Sequence, residues 1–148
     1  MEYIVCKTYE KRGLVLERGE LVENIDHTLY KGKTPLCYDT SYNAYHHFAR
    51  NDDGKGLERF ELCEQIESRI SELVVEYNEN YGRIVGSFTE NTTDDEKVNA
   101  LATLVDTVGE AYRKIKVVIP NGLKDGDNLC FGFYNAEIEQ LEQVLRVI

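Results

Sequence analysis

The reading of the fold turns on "AYHHFARNDDGKGLERFEL", residues 44–62. Before it, apolar residues alternate with a period of two; after it, they recur at three- and four-residue steps. Inside it, Asn51-Asp52-Asp53-Gly54 is turn chemistry, since Asn and Asp side chains imitate backbone acceptors and glycine takes positive φ at no cost. The pattern predicts a short helix capped by Thr40 or Ser41 and running through Arg50. The break Asn51–Gly56 follows, and then a long helix. Asp53 is placed to cap that helix, and Glu58 sits near its positively polarised start.

Upstream, Glu2–Thr8 alternates, with Tyr3, Val5 and Lys7 on one face and Ile4 and Cys6 on the other. Leu14-Val15-Leu16 follows a break at Gly13. Leu29-Tyr30 and Leu36-Cys37-Tyr38 flank Lys31–Pro35, which reads as a hairpin loop. Downstream, Phe60, Cys63, Ile66, Ile70, Leu73 and Tyr77 share one face of a helix over 58–80. Thr93-Asp94-Asp95-Glu96 fits a capping box and opens a second helix over 93–114, with Val98, Leu101, Val105, Val108 and Tyr112 as its stripe. Tyr81–Thr92 connects the two, and an antiparallel helical hairpin is the economical arrangement. The run Val117–Ile119 ends at Pro120. Asn128–Tyr134 reads as a strand, and Asn135 caps a last helix with Ile138, Leu141 and Leu145 inward. The expected class is α+β: a small, mostly antiparallel sheet, a long helical hairpin and a C-terminal helix.

The 148 residues suit a single domain, 1–148, with one core. No apolar run approaches a membrane span. MEYIVCKTYE has no basic-then-apolar leader pattern, so a cytoplasmic protein with no membrane partner is expected. Cys6, Cys37, Cys63 and Cys130 are widely spaced among apolar neighbours, as suits buried, reduced thiols. The net charge of −10 is uneven: residues 58–115 carry 13 acidic and 6 basic side chains. Carboxylates repel phosphate, which argues against direct nucleic-acid binding by that part.

The polar block offers the donors of a metal site, an acid–base site and a small-ligand site. Setting Gly54 at the invariant glycine of an EF-hand puts Asp53 and Asn51 correctly. It also puts Ala49 and Phe60 at positions one and twelve, where ligands are required. His46 and His47 are adjacent, so on a helix they point about 100° apart and do not chelate as a pair. No metal and no cofactor is expected. A histidine with Asp52 or Asp53 could serve acid–base cleavage of a phosphodiester, but no phosphate loop, nucleophile elbow or HExxH accompanies it, and no catalytic residue is assigned. As a small-ligand site, the block offers Asn43, Tyr45, His46, His47, Arg50, Asn51, Asp52, Asp53 and Arg59. Arginines can grip phosphate and rings can stack on a base.

The block "CYDTSYNAYHHFARNDDGKGLERFEL" resembles a TSxNAHxxFARNDDGxGLERGKL-like pattern found in small uncharacterised proteins of phages and mobile elements of Gram-positive bacteria. "FGFYNAEIEQLE" is similar to their C-terminal segment. Phe60-Glu61 stands here where the pattern prefers Gly-Lys. The resemblance implies an accessory role such as countering host defence, modulating host enzymes or assisting replication.

Two functions from different classes fit. One is a non-enzymatic inhibitor of a host defence protein or nuclease, with Glu61, Glu64, Glu72, Glu76 and Glu79 imitating spaced phosphates. The other is a binder that sequesters a nucleotide signal at the polar block. An enzyme acting through His46 or His47 with Asp52 or Asp53 is third. A homodimer is also open to the chain.

Overall fold

The computed structural model describes residues 2–11, 13–26, 28–37, 47–120 and 136–148, the side chains of Lys11 and Cys37 excepted. Among the described residues seven strands come first: β1 Glu2–Val5, β2 Tyr9–Lys11, β3 Leu14–Leu16, β4 Leu21–Ile25, β5 Thr28–Lys31, β6 Thr34–Cys37 and β7 Phe48–Arg50. Four helices follow among the described residues: α1 Gly56–Gly86, α2 Asp94–Ala102, α3 Thr107–Val118 and α4 Ile138–Val147. The expected strand 128–134 lies outside the described residues, and the N-cap of α4 is Glu137 rather than the expected Asn135. The fold is α+β, with a mostly antiparallel open sheet.

The larger sheet has the order β6-β5-β4-β1-β7, every pair antiparallel. β2 and β3 form a separate hairpin. β1 lies between β4 and β7 and is buried on both faces. Ile4 and Cys6 enter a core with Phe60, Cys63, Ile66, Ile115, Leu141 and Val144. Tyr3 and Val5 enter a second core with Leu16, Val22, Leu29 and Phe48. The alternation seen in Glu2–Thr8 thus serves two cores, one under the helices and one under the β2–β3 hairpin.

The helix expected to run through Arg50 is corrected. Its described part, Phe48–Arg50, is strand β7, paired Tyr3↔Arg50, Ile4↔Ala49 and Val5↔Phe48 with β1. The reason is partition: Phe48 belongs to the hairpin-side core and Ala49 to the helix-side core. Successive residues reach opposite faces only in a strand; on a helix they diverge by about 100°. The turn at 51–55 therefore joins a strand to a helix, not two helices.

α1 is longer than the expected 58–80, running 31 residues. Its buried face holds Phe60, Cys63, Ile66, Ile70 and Leu73, as the spacing predicts. Tyr77 is only half-buried, and nothing on α1 beyond Leu73 is buried. The single helix expected over 93–114 is two. Thr93 caps α2 by accepting from Glu96 N, as read from the capping box. The chain then breaks at Thr103, whose hydroxyl donates to Ala100 O. Asp106 starts α3 by accepting from Gly109 N at 2.9 Å. The break divides the expected inward stripe: Leu101, Val108 and Tyr112 are half-buried, whereas Val98 and Val105 are exposed. α4 packs against α1 and α3. Gln140 accepts from Glu137 N at its start, and Ile138, Leu141 and Val144 face inward; Leu145 is half-buried.

Candidate functional site

The polar block is built around Arg59. Its guanidinium is wholly out of solvent. Nε donates to Ala136 O at 2.7 Å, Nη1 to Arg50 O at 2.6 Å, and Nη2 to Asp53 Oδ2 at 2.7 Å. One side chain thus ties α1 to β7, to the 51–55 turn and to the chain entering α4. A buried guanidinium is tolerable only when its charge is paired and its donors are used, and both conditions hold here.

The turn itself is held by its own Asn and Asp side chains. Asn51 Oδ1 accepts from Gly56 N at 3.0 Å while its Nδ2 donates to Glu2 Oε1 at 2.9 Å. Asp52 Oδ1 accepts from Glu2 N at 2.9 Å. Asp53 Oδ1 accepts from Lys55 N at 3.0 Å, and Gly54 takes φ 73°. Asp53 pairs with Arg59 rather than capping the helix, whose N-cap is Lys55. That guanidinium holds the Asp53 carboxyl down at about 2. At Gly56, a Cβ would run into the Ile4 side chain and come within 2.9 Å of both Arg50 O and Asn51 Oδ1. The residue is glycine because α1 starts hard against β1 and the turn. Arg50 reaches out from β7 to Glu137 at 2.9 Å.

The structure therefore gathers Arg50, Asn51, Asp52, Asp53 and Arg59 at one corner and engages each of them within the protein. His47 is not among them. It sits before β7, its ring edge-on to Tyr9 at 5.5 Å, while the aspartates follow β7. Four residues of near-extended chain set it roughly 13 Å from Asn51. Asn43, Tyr45 and His46 lie outside the described residues. Among the described residues, no three His, Cys, Asp or Glu side chains converge as a metal site would need. Cys6 and Cys63 are buried and unbridged, and burial raises the Cys6 thiol to about 12, too high for a thiolate nucleophile.

The five glutamates expected to recognise a partner all lie on α1, within about 120° of its circumference. The structure divides them. Glu61 pairs with Arg18 at 3.1 Å, Glu64 with Lys7 at 3.5 Å, and Glu72 with Arg69 at 3.2 Å. Glu76 and Glu79 are exposed and have no ion pair among the described residues. They stand on the part of α1 that runs past the core, above an open groove that also touches Glu72 and Val75. The proximal carboxylates are thus locally neutralised and the distal ones are not. Sequence spacing could not separate them, because Lys7 and Arg18 arrive from distant strands and loops. No helix among the described residues is long and apolar enough to cross a membrane. Compared with protein-family models, curated proteins and solved structures, the chain has no match.

Proposed function

We propose that this is a non-enzymatic accessory protein of a phage or mobile element, one that inhibits a host defence nuclease by laying the acidic side of α1 along a basic nucleic-acid channel. The observation that carries it is the exposed, unneutralised pair Glu76 and Glu79 on a helix that extends beyond its own core. Carboxylates on a projecting helix reach a recessed basic surface without clash from the body of the protein. Their field speeds encounter with a cationic channel. The phage setting comes from the resemblance of the 37–62 block.

The second reading, sequestration of a nucleotide signal at the polar block, requires Arg59 and Asp53 to give up bonds they already hold. Arg50 is the group there with the least to release.

The test is inhibition of purified restriction and RNA-guided nucleases of a Gram-positive host, with cleavage followed against rising inhibitor and rising salt. Inhibition that weakens with salt, and that vanishes in Glu72→Lys/Glu76→Lys/Glu79→Lys with an unchanged circular dichroism spectrum, is expected. Inhibition that survives the reversal but is lost in Arg50→Ala would overturn the reading in favour of the polar block.

A further inference from the structure

The apolar stripe of α1 does not stop where the core stops. Past Leu73 it continues as the half-buried Tyr77 and Ile84, and beside that line Val74, Tyr81 and Val85 are 38%, 47% and 39% exposed. α2 packs against α1 but buries none of its own residues. A nine-residue helix gains little stability on its own, so this hairpin arm draws little from the monomer.

At 3.6 residues per turn, Val74, Val75, Asn78, Tyr81, Gly82 and Val85 fall within about 120° of the helix, over about 17 Å of its length. No charge interrupts them. Glu72, Glu76, Glu79 and Arg83 are confined to about 60° on another side. The chain holds 17 basic and 27 acidic residues, so an exposed, charge-free strip three turns long is a marked departure. Contiguous apolar surface of this kind marks a contact face.

We propose that this strip is the contact between two copies of this chain, α1 lying on α1 of the second copy about a two-fold axis. A strip without charge gives a charged partner nothing to pair with, and a second copy brings an identical uncharged strip. Val74, Asn78, Tyr81 and Val85 are spaced four, three and four, the seam spacing of two packed helices. Asn78 lies within that seam. Its amide both donates and accepts, so it can bond its own symmetry mate, and a single asparagine in an apolar seam fixes register and favours two strands. Space over Gly82 is open, which lets a second backbone approach. Six side chains per copy make a small contact, below the roughly 1,000 Å² in total of a standard specific interface, so the dimer is weak. The acidic side is left facing outward.

Charge gives the dimer a signature. Each copy carries a net charge of −10, so salt screens the repulsion and strengthens the dimer. Binding through the acidic side responds to salt with the opposite sign.

Sedimentation velocity of the full chain from about 1 µM to about 1 mM, at low and high salt, tests this. The expected result is a monomer–dimer equilibrium with Kd on the order of tens of µM, tighter at high salt. Val74→Glu and Val85→Glu should each weaken it at least about tenfold with circular dichroism unchanged. Asn78→Cys should cross-link under mild oxidation faster than Glu76→Cys, a comparison in which the native cysteines cancel and which stands even if a glutamate variant misfolds. A monomer at every concentration would leave the strip to a different protein and overturn the proposal. So would a dimer indifferent to both glutamate substitutions, or equal cross-linking by the two cysteine variants.

Discussion

Arg59 and Asp53 meet at 2.7 Å across the first turn of α1, the guanidinium wholly buried and the carboxylate about one-third exposed. The carboxylate supplies the countercharge, and two carbonyls, of Arg50 and Ala136, take the remaining direction of the fork. Arg59→Ala removes the guanidinium donor from both carbonyls and leaves Asp53 with the Lys55 N–H but no countercharge. It should cost about 3–5 kcal/mol in urea unfolding, a large share of the stability of a domain this size. Arg59→Lys should recover little, because an ammonium cannot span the three acceptors that the planar fork reaches.

Asp53 gives the fold a defined response to acid. Its carboxyl is held at about 2, against an ordinary 3.8, chiefly by the Arg59 hydrogen bond. A depressed carboxylate stabilises the fold above its unfolded pKa, and that contribution fades as pH falls through the folded pKa. The stability difference between wild type and Asp53→Asn should therefore be constant above about pH 5 and shrink between about pH 4 and pH 2. Because the carboxylate is partly solvated, a difference of about 1 kcal/mol is expected at neutral pH, measured by denaturant titration across the range.

Gly56→Ala tests the close approach of α1 to β1. The new methyl meets the Ile4 side chain and two oxygens, one of them backbone. Elsewhere in a helix this change stabilises by up to about 1 kcal/mol. Here it should destabilise by about 1–3 kcal/mol, the range for overpacking, and the thermal midpoint should fall rather than rise.

Asp106 begins α3 by accepting from Gly109 N. Asp106→Ala should cost about 1 kcal/mol, typical of a lost N-cap. Hydrogen exchange should place the loss in the first turn of α3 and leave α1 untouched over 60–73, because the cap serves only its own helix.

The α+β class, the two-faced character of β1, the buried face of α1 and the Thr93 cap were all legible in the sequence. Each follows from periodicity or from a local side-chain-to-backbone bond. What was not legible depended on partners far along the chain. Phe48-Ala49-Arg50 looks helical until its neighbours in two separate cores are known. Arg59 lies in the first turn of α1, just after a polar turn, and nothing local says that Ala136 waits for it. The split at 103–106 did have a signal. Asp106-Thr107 followed by Gly109 is a second helix start, but the apolar spacing of Val98, Leu101 and Val105 runs across it and masks it. Among the glutamates, the Arg69–Glu72 pair follows from i,i+3 spacing on one helix, whereas nothing local shows that Arg18 reaches Glu61 and Lys7 reaches Glu64.

The Arg59 to Ala136 bond spans 77 positions of chain. During synthesis, at roughly 5–20 residues per second, Arg59 leaves the peptidyl-transferase centre about 4–15 s before the carbonyl it needs. Over that interval a guanidinium destined for the interior has only Asp53 and the Arg50 carbonyl to hold it. The strand order imposes the same delay on β1, made before its neighbours in the sheet, which gains β7 only after some fifty residues. Vectorial folding of this chain from its N-terminus is thus incomplete by design of the contacts, and the native corner closes only once α4 has emerged. A ribosome-bound chain halted before residue 136 should be cleaved by protease around 50–59, where the released full-length protein resists.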